Sequence, residues 1–373
     1  MHRSATRRVR AAALSSAVAV AAVCAVTMAP PGAASARPAA ASGVGAAGGA
    51  GVERISVADD GTQADADSAG ASITPDGRRI VFLSSATNLT PDNPTGGKRV
   101  FVRDQRTGQT KQMRSNYSPL GAPVISGDGQ YAAHWAQLFR DTKVFLAQVS
   151  SGSVIGINCS GLSCSQPSLS ADGRYIAQVA TFNRPPSRQH IEVLDWHADT
   201  KVTVAEFDHT ASSRPSMSGD GRRVAYQDGQ TKDVFVWDRT TGTSSGPIEG
   251  PAKEATLVQL SKDGSKAVYL SGTDTYVYDV GAGTAQLVPN VRGVAIDPTG
   301  RYLLHAPGGT SGPSLSLRDL PAGTDETVSN QPASAETDAV STGGRDVVFQ
   351  STADDIVPGD TNGKSDVFVR RFY

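Results

Sequence analysis

The sequence predicts an all-β chain: a seven-bladed β-propeller of four-stranded antiparallel blades, closed by its N-terminal strand pairing into the last blade. Three observations lead there. A tight turn ending in glycine recurs seven times at blade-like spacing. Each copy is followed by short runs with strand periodicity. The chain also begins on the kind of strand that it lacks at its end.

The opening residues stand apart from that pattern. Arg3, Arg7, Arg8 and Arg10 form a basic segment, Ala11–Met28 is an apolar run of 18 residues, and Ala34-Ser35-Ala36 offers a small-x-small cleavage site. This reads as a secretory leader over residues 1–36. An uncleaved membrane anchor is the competing reading, disfavoured because Ala and Ser make the run weakly hydrophobic. Residues 37–51 are Ala/Gly/Pro-rich without a periodic apolar face and read as a flexible tether. Residues 52–373 are expected to form one propeller domain.

Within that domain the turn copies are SITPDG (72–77), VISGDG (124–129), SLSADG (168–173), SMSGDG (216–221) and QLSKDG (259–264), with AIDPTG (295–300) and AVSTGG (339–344) as eroded ones. Gly closes all seven, as a turn needing positive φ requires. A β-branched or alternating run follows each turn, for example RRIVFLS, RYIAQVA and RDVVFQS. After a variable loop comes a third run, such as RVFVRD or DVFVWD, then a second turn and a more polar fourth run. The turn glycines lie 52, 44, 48, 43, 36 and 44 residues apart. Such periods fit propeller blades. A solenoid would share the repeat, but the two ends argue for a ring. DVFVRRFY finishes on a third strand, and VERISVA (52–58) supplies a fourth. Joined, they remove the exposed edges of an open array.

Charge and cysteine content narrow the partners. Loss of the leader takes four of the 35 basic residues and none of the 36 acidic ones, leaving a formal net charge of −5. Nucleic acid, which demands a basic footprint, is therefore not expected as a partner. No second apolar stretch is long enough to span a bilayer, so a secreted monomer is expected. Cys24 leaves with the leader. Cys159 and Cys164, five apart, are expected to form a disulfide in an oxidising compartment; a metal pair or two free thiols are the rival readings.

The unit P-S-x-S-x-D-G-R-x-x-A, with a later D-V-F-V-x-D-x-x-T-G, resembles the TolB-like propeller repeat, a relative of WD-repeat blades. The resemblance covers residues 52–373. It departs from WD repeats in lacking Gly-His and in having Trp237-Asp238 as its one Trp-Asp. It implies that the loops between second and third strands, with those joining blades, form a partner-binding face. It implies little about activity, because propellers host binding, scaffolding and catalysis alike.

Two of those loops are long: residues 84–98 in the first blade and 351–365 in the last, neighbours in a closed ring. They offer Asp354, Asp355, Asp360, Asn362 and Asp92 as oxygen ligands for a possible calcium ion, the one cofactor considered; a solvated loop is the alternative. Arg140, Arg184 and Arg188 fall in the corresponding loops of the second and third blades and give that face a basic side. The recurrent turn residues Asp76, Asp128, Asp172, Asp220 and Asp263, with the Ser/Thr two places before each, read as turn chemistry. No nucleophile elbow, HExxH or phosphate loop is present, and the histidines fall at inequivalent repeat positions. The resulting expectation is a non-enzymatic module binding a protein, peptide or cell-envelope glycan. The alternative is a propeller hydrolase or lyase using carboxylates at the channel mouth.

Overall fold

The computed structural model describes residues 51–91, 97–182, 185–211, 215–309 and 312–372. The expected leader lies outside them, as does the expected tether except for Gly51, which already belongs to a strand.

Six four-stranded antiparallel sheets follow one another along the chain, each in simple sequential order. Blade 1 runs from Ser68–Ile73 to Gln109–Gln112, blade 2 from Val124–Ile125 to Val154–Ile157, and blade 3 from Ser163–Leu169 to Thr200–Phe207. Blade 4 runs from Ser216–Met217 to Thr243–Ile248, blade 5 from Thr256–Leu260 to Thr284–Val288, and blade 6 from Val291–Ile296 to Thr324–Ser329. Blade 7 is built from both ends of the chain. Its sheet holds Asp346–Ser351, Asp366–Arg371 and Gly51–Arg54, the last paired antiparallel from Gly51↔Arg371 to Arg54↔Phe368. Its inner position is held by a single bridge, Val340↔Val347. The ring is thus closed by the N-terminal strand as the sequence implies, around seven blades.

The strand patterns follow from this stacking. Second and third strands are covered on both faces by neighbouring blades, so they read as nearly continuous apolar runs; IVFLS (80–84) is buried throughout. Outer strands face solvent, and Thr324–Ser329 is exposed over its first four residues. The core is therefore a series of layers between blades. Val81 and Leu83 of blade 1 pack with Ile125, Ala132 and Ala147 of blade 2, and the largest layer joins blades 6, 7 and 1 around Leu304, Phe349, Phe368 and Phe82.

The recurrent turns are structural. The hydroxyls of Thr74, Ser126, Ser170, Ser218 and Ser261 donate to the Asp two residues on, at 2.5–2.6 Å. The same Asp oxygen accepts the backbone N–H two residues further. All seven closing glycines have φ between 66° and 74°. In blade 6 Asp297 takes the hydroxyl's place, fully buried, accepting from the amides of Arg301 and Tyr302 and from Gly343 of blade 7. These turns also link the ring: the Asp128, Ala171, Gly219, Asp263 and Thr342 amides each donate to a carbonyl in an adjacent blade's turn.

Candidate active site at the channel mouth

The inner strands line a central channel that is nearly shut at its turn end. A cavity of about 10 Å³ remains among residues of blades 1, 2, 5, 6 and 7. At the opposite end, on the face carrying the blade-to-blade connections, the channel opens into a mouth of about 230 Å³.

Repeat register identifies what is unusual there. The position five before the turn Asp is Ala71, Pro123, Pro167, Pro215, Val258, Val294 and Asp338 in blades 1 to 7. The position one before it is Pro75, Gly127, Ala171, Gly219, Lys262, Pro298 and Thr342. Each set contains one charged residue, and the two meet. Lys262 Nζ lies 3.2 Å from both carboxylate oxygens of Asp338. Gln259, almost fully buried, donates to Asp338 Oδ1 at 2.7 Å and accepts from the Asp338 amide. Asp338 is held at φ +60°, a conformation unfavourable for a residue with a side chain, and its carbonyl accepts from Ile73 of blade 1. Glu336 and Trp135 line the mouth above the pair. So does Gln166, also at positive φ, whose Oε1 is buried without a hydrogen-bond partner. Asp338 thus lines both the mouth and the small cavity beneath it, whereas Lys262 lines that cavity only; two positive-φ residues and, among the described residues, an unsatisfied buried acceptor lie around the pair.

Among the described residues the expected calcium ligands form no group that could hold a metal ion. Asp354 and Asp355 are exposed, and Asp355 accepts from Gln331. Asp360 pairs with Arg54 of the ring-closing strand at 3.0 Å, and Arg54 also faces buried Asp366 at 3.5 Å. Asn362 donates to Asp366 and to the Ala64 carbonyl. Asp92 lies outside the described residues. The cation that this acidic seam needs is Arg54, which the sequence reading overlooked because it sits some 300 residues away in the chain. The cysteines do pair: Cys159–Cys164 is a disulfide with Cα atoms 5.7 Å apart. Arg140 and Arg188 are exposed, with no carboxylate partner among the described residues; Arg184 lies outside those residues. Among the described residues no helix is long and apolar enough to cross a membrane.

No protein-family model matches the chain, and no curated protein matches it. Solved structures do. An oligogalacturonate lyase in complex with manganese aligns with TM-score 0.63 at 12% identity, covering 88% of this chain and 94% of its own. An oligogalacturonate lyase from Vibrio parahaemolyticus aligns with TM-score 0.63 at 11% identity, covering 86% and 96%. TolB from Acinetobacter baumannii aligns with TM-score 0.48 at 16% identity over 70% of this chain and 62% of its own. Similarity at this level concerns the fold, which is the seven-bladed propeller that the repeats imply.

The comparison corrects two expectations. A non-enzymatic binding module was expected, yet the two propellers that superpose over most of this chain are lyases. No cofactor beyond a calcium ion at the seam was expected, yet one of these lyases is a manganese complex. The described residues here do not fit a resident manganese ion. They contain no group of three or more His, Cys, Asp or Glu that could hold a metal. Nor do the buried histidines converge: His134 stacks on Phe145 in blade 2, where burial pushes its pKa down to about 4, and His305 bonds Asp325 in blade 6.

Proposed function

We propose that the chain is a secreted propeller lyase acting on an anionic, uronate-containing glycan at the channel mouth. The observation that carries this reading is the Lys262–Asp338 pair, formed by the charged members of two repeat positions whose other members are uncharged. The likeness to two lyases supports it, as does the presence of Glu336 above the pair. Elimination from a uronate needs a base for the C5 proton and a positive charge facing the adjacent carboxylate, where negative charge builds up. A substrate carboxylate entering the mouth would take Lys262 from Asp338, freeing Asp338 to accept the proton. The C5–H and C4–O bonds break, a C4=C5 double bond forms, and the leaving sugar oxygen takes up a proton. No water and no oxidant are consumed.

The test is incubation of the purified chain with oligogalacturonides, with and without added Mn²⁺, following ultraviolet absorbance of the unsaturated product. Asp338→Asn is expected to slow the reaction by about 10²- to 10⁴-fold. Absence of unsaturated product, or a variant as fast as the parent chain, would overturn the reading.

A further inference from the structure

A second concavity of about 470 Å³ lies on the same face, at the rim of blade 3, away from the channel. One wall is the disulfide loop, Ser160 to Leu162. The other carries Phe182, Pro185, Pro186 and Arg188, with Asp208 nearby.

The loop is held more firmly than a surface turn requires. The disulfide closes it at both ends. Ser160 donates through its amide and its hydroxyl to Glu192, a carboxylate only 1% exposed that also accepts from Gln178 at 2.9 Å. Among the described residues Glu192 is held by these hydrogen bonds, which a carboxylate strengthens. Leu162 donates its amide to the Thr181 carbonyl. Gly161 lies so close to the blade that a Cβ would sit 2.5 Å from that same oxygen. What the rigid loop presents is Leu162, 55% exposed and facing a cleft instead of covering the core. Across from it the Arg188 guanidinium lies over the Phe182 ring, 5.1 Å from its centroid, which holds a flat cation at the wall.

We propose that this cleft is a preorganised glycan subsite that takes a uronate residue, with its carboxylate on Arg188 and its apolar ring face between Leu162 and the two prolines. Asp208 would receive hydroxyls. The cleft and the mouth are joined by one inner strand, which carries Leu162 just before its start and Gln166 at its bulge. A longer chain could therefore engage both, and the disulfide-closed loop limits the ordering entropy lost on binding. The identity of the ligand as a glycan rests on the proposed function; the anionic, apolar-faced chemistry does not.

Calorimetry with an oligogalacturonide and its methyl-esterified counterpart tests the proposal, using Asp338→Asn as background so that turnover during the titration is slow. Arg188→Ala and Phe182→Ala are each expected to weaken binding of the charged oligosaccharide about tenfold or more, and esterification to remove the Arg188 effect. Equal affinities for Arg188→Ala and its background would overturn the subsite. So would poly-glutamate binding through Arg188 while the uronide does not bind. If the parent chain cleaves nothing but Arg188 still governs uronide affinity, the subsite stands and the lyase reading falls. If cleavage is seen without that dependence, the reverse holds.

Discussion

Arg54 shows how one residue can decide a local question of charge. Its guanidinium, 10% exposed, sits between Asp360 and Asp366, which are 3% and 0% exposed. Burial pushes the Asp366 carboxyl above the usual carboxylate range, against hydrogen bonds from Ser56 and Asn362 and the pull of Arg54. Removing one partner of a buried ionic group leaves the others uncompensated, at about 3–5 kcal/mol. Arg54→Met is therefore expected to lower the denaturation midpoint by a corresponding amount in urea titrations. Added Ca²⁺ should not restore it, because the acids that face Arg54 do not form a metal site. An unchanged midpoint would show that the seam acids need no partner.

At the scale of elements, the strand Gly51–Arg54 and the three residues after it close the ring. Ile55 and Ser56 are fully buried; Ser56 donates to Asp366, and the Ile55 amide donates to the Val367 carbonyl. Deleting residues 51–58 would strip these contacts and leave Asp366–Arg371 as an open edge. Size-exclusion chromatography is expected to show aggregation of that truncation, whereas deletion of 37–50 should leave the melting temperature unchanged. Equal behaviour of the two would sink the closure argument. The disulfide loop is a second such element. A cross-link spanning so few residues removes little unfolded-state entropy, so Cys159→Ser with Cys164→Ser should destabilise by about 2 kcal/mol. Limited proteolysis should then cut near Leu162, which the intact loop resists.

At the scale of the whole molecule, one clamp repeats from blade to blade. Arg174, Arg222, Lys266 and Arg301 bind Asp195, Asp238, Asp279 and Asp319, each the last residue of a third strand. Hydrogen bonds from these cations lower all four carboxyl pKa values. A carboxyl depressed in the folded state contributes stability above its unfolded pKa of about 3.9, and loses it as pH falls toward the folded value. Asp346 and Asp366, raised by burial, act in the opposite sense: their contribution is present at low pH and lost as pH rises. With these four clamps, and the same pairing of Arg78 with Asp104 in blade 1, set against two buried acids, the melting temperature should fall as pH drops from about 5 to about 2. Asp238→Asn should flatten part of that slope, and a pH-independent melting curve would count against the clamps.

The chain's local chemistry was enough to define the propeller. Seven Gly-closed turns, apolar middle strands and a split final blade are written in short stretches, because turn geometry and strand burial depend on neighbours in sequence. The Cys159–Cys164 bridge was legible for the same reason: five residues separate the partners. Comparing repeats position by position would also have singled out Lys262 and Asp338, as the charged members of otherwise uncharged sets. Sequence could not show that they touch, since 76 residues and an intervening blade separate them. Nor could it show that Asp360 pairs with Arg54, or that Ser160 caps a buried Glu192. Those pairings depend on which blades the ring makes adjacent and on how far water is excluded between them. Low dielectric decides which charges must find a partner, and only the closed tertiary structure creates it.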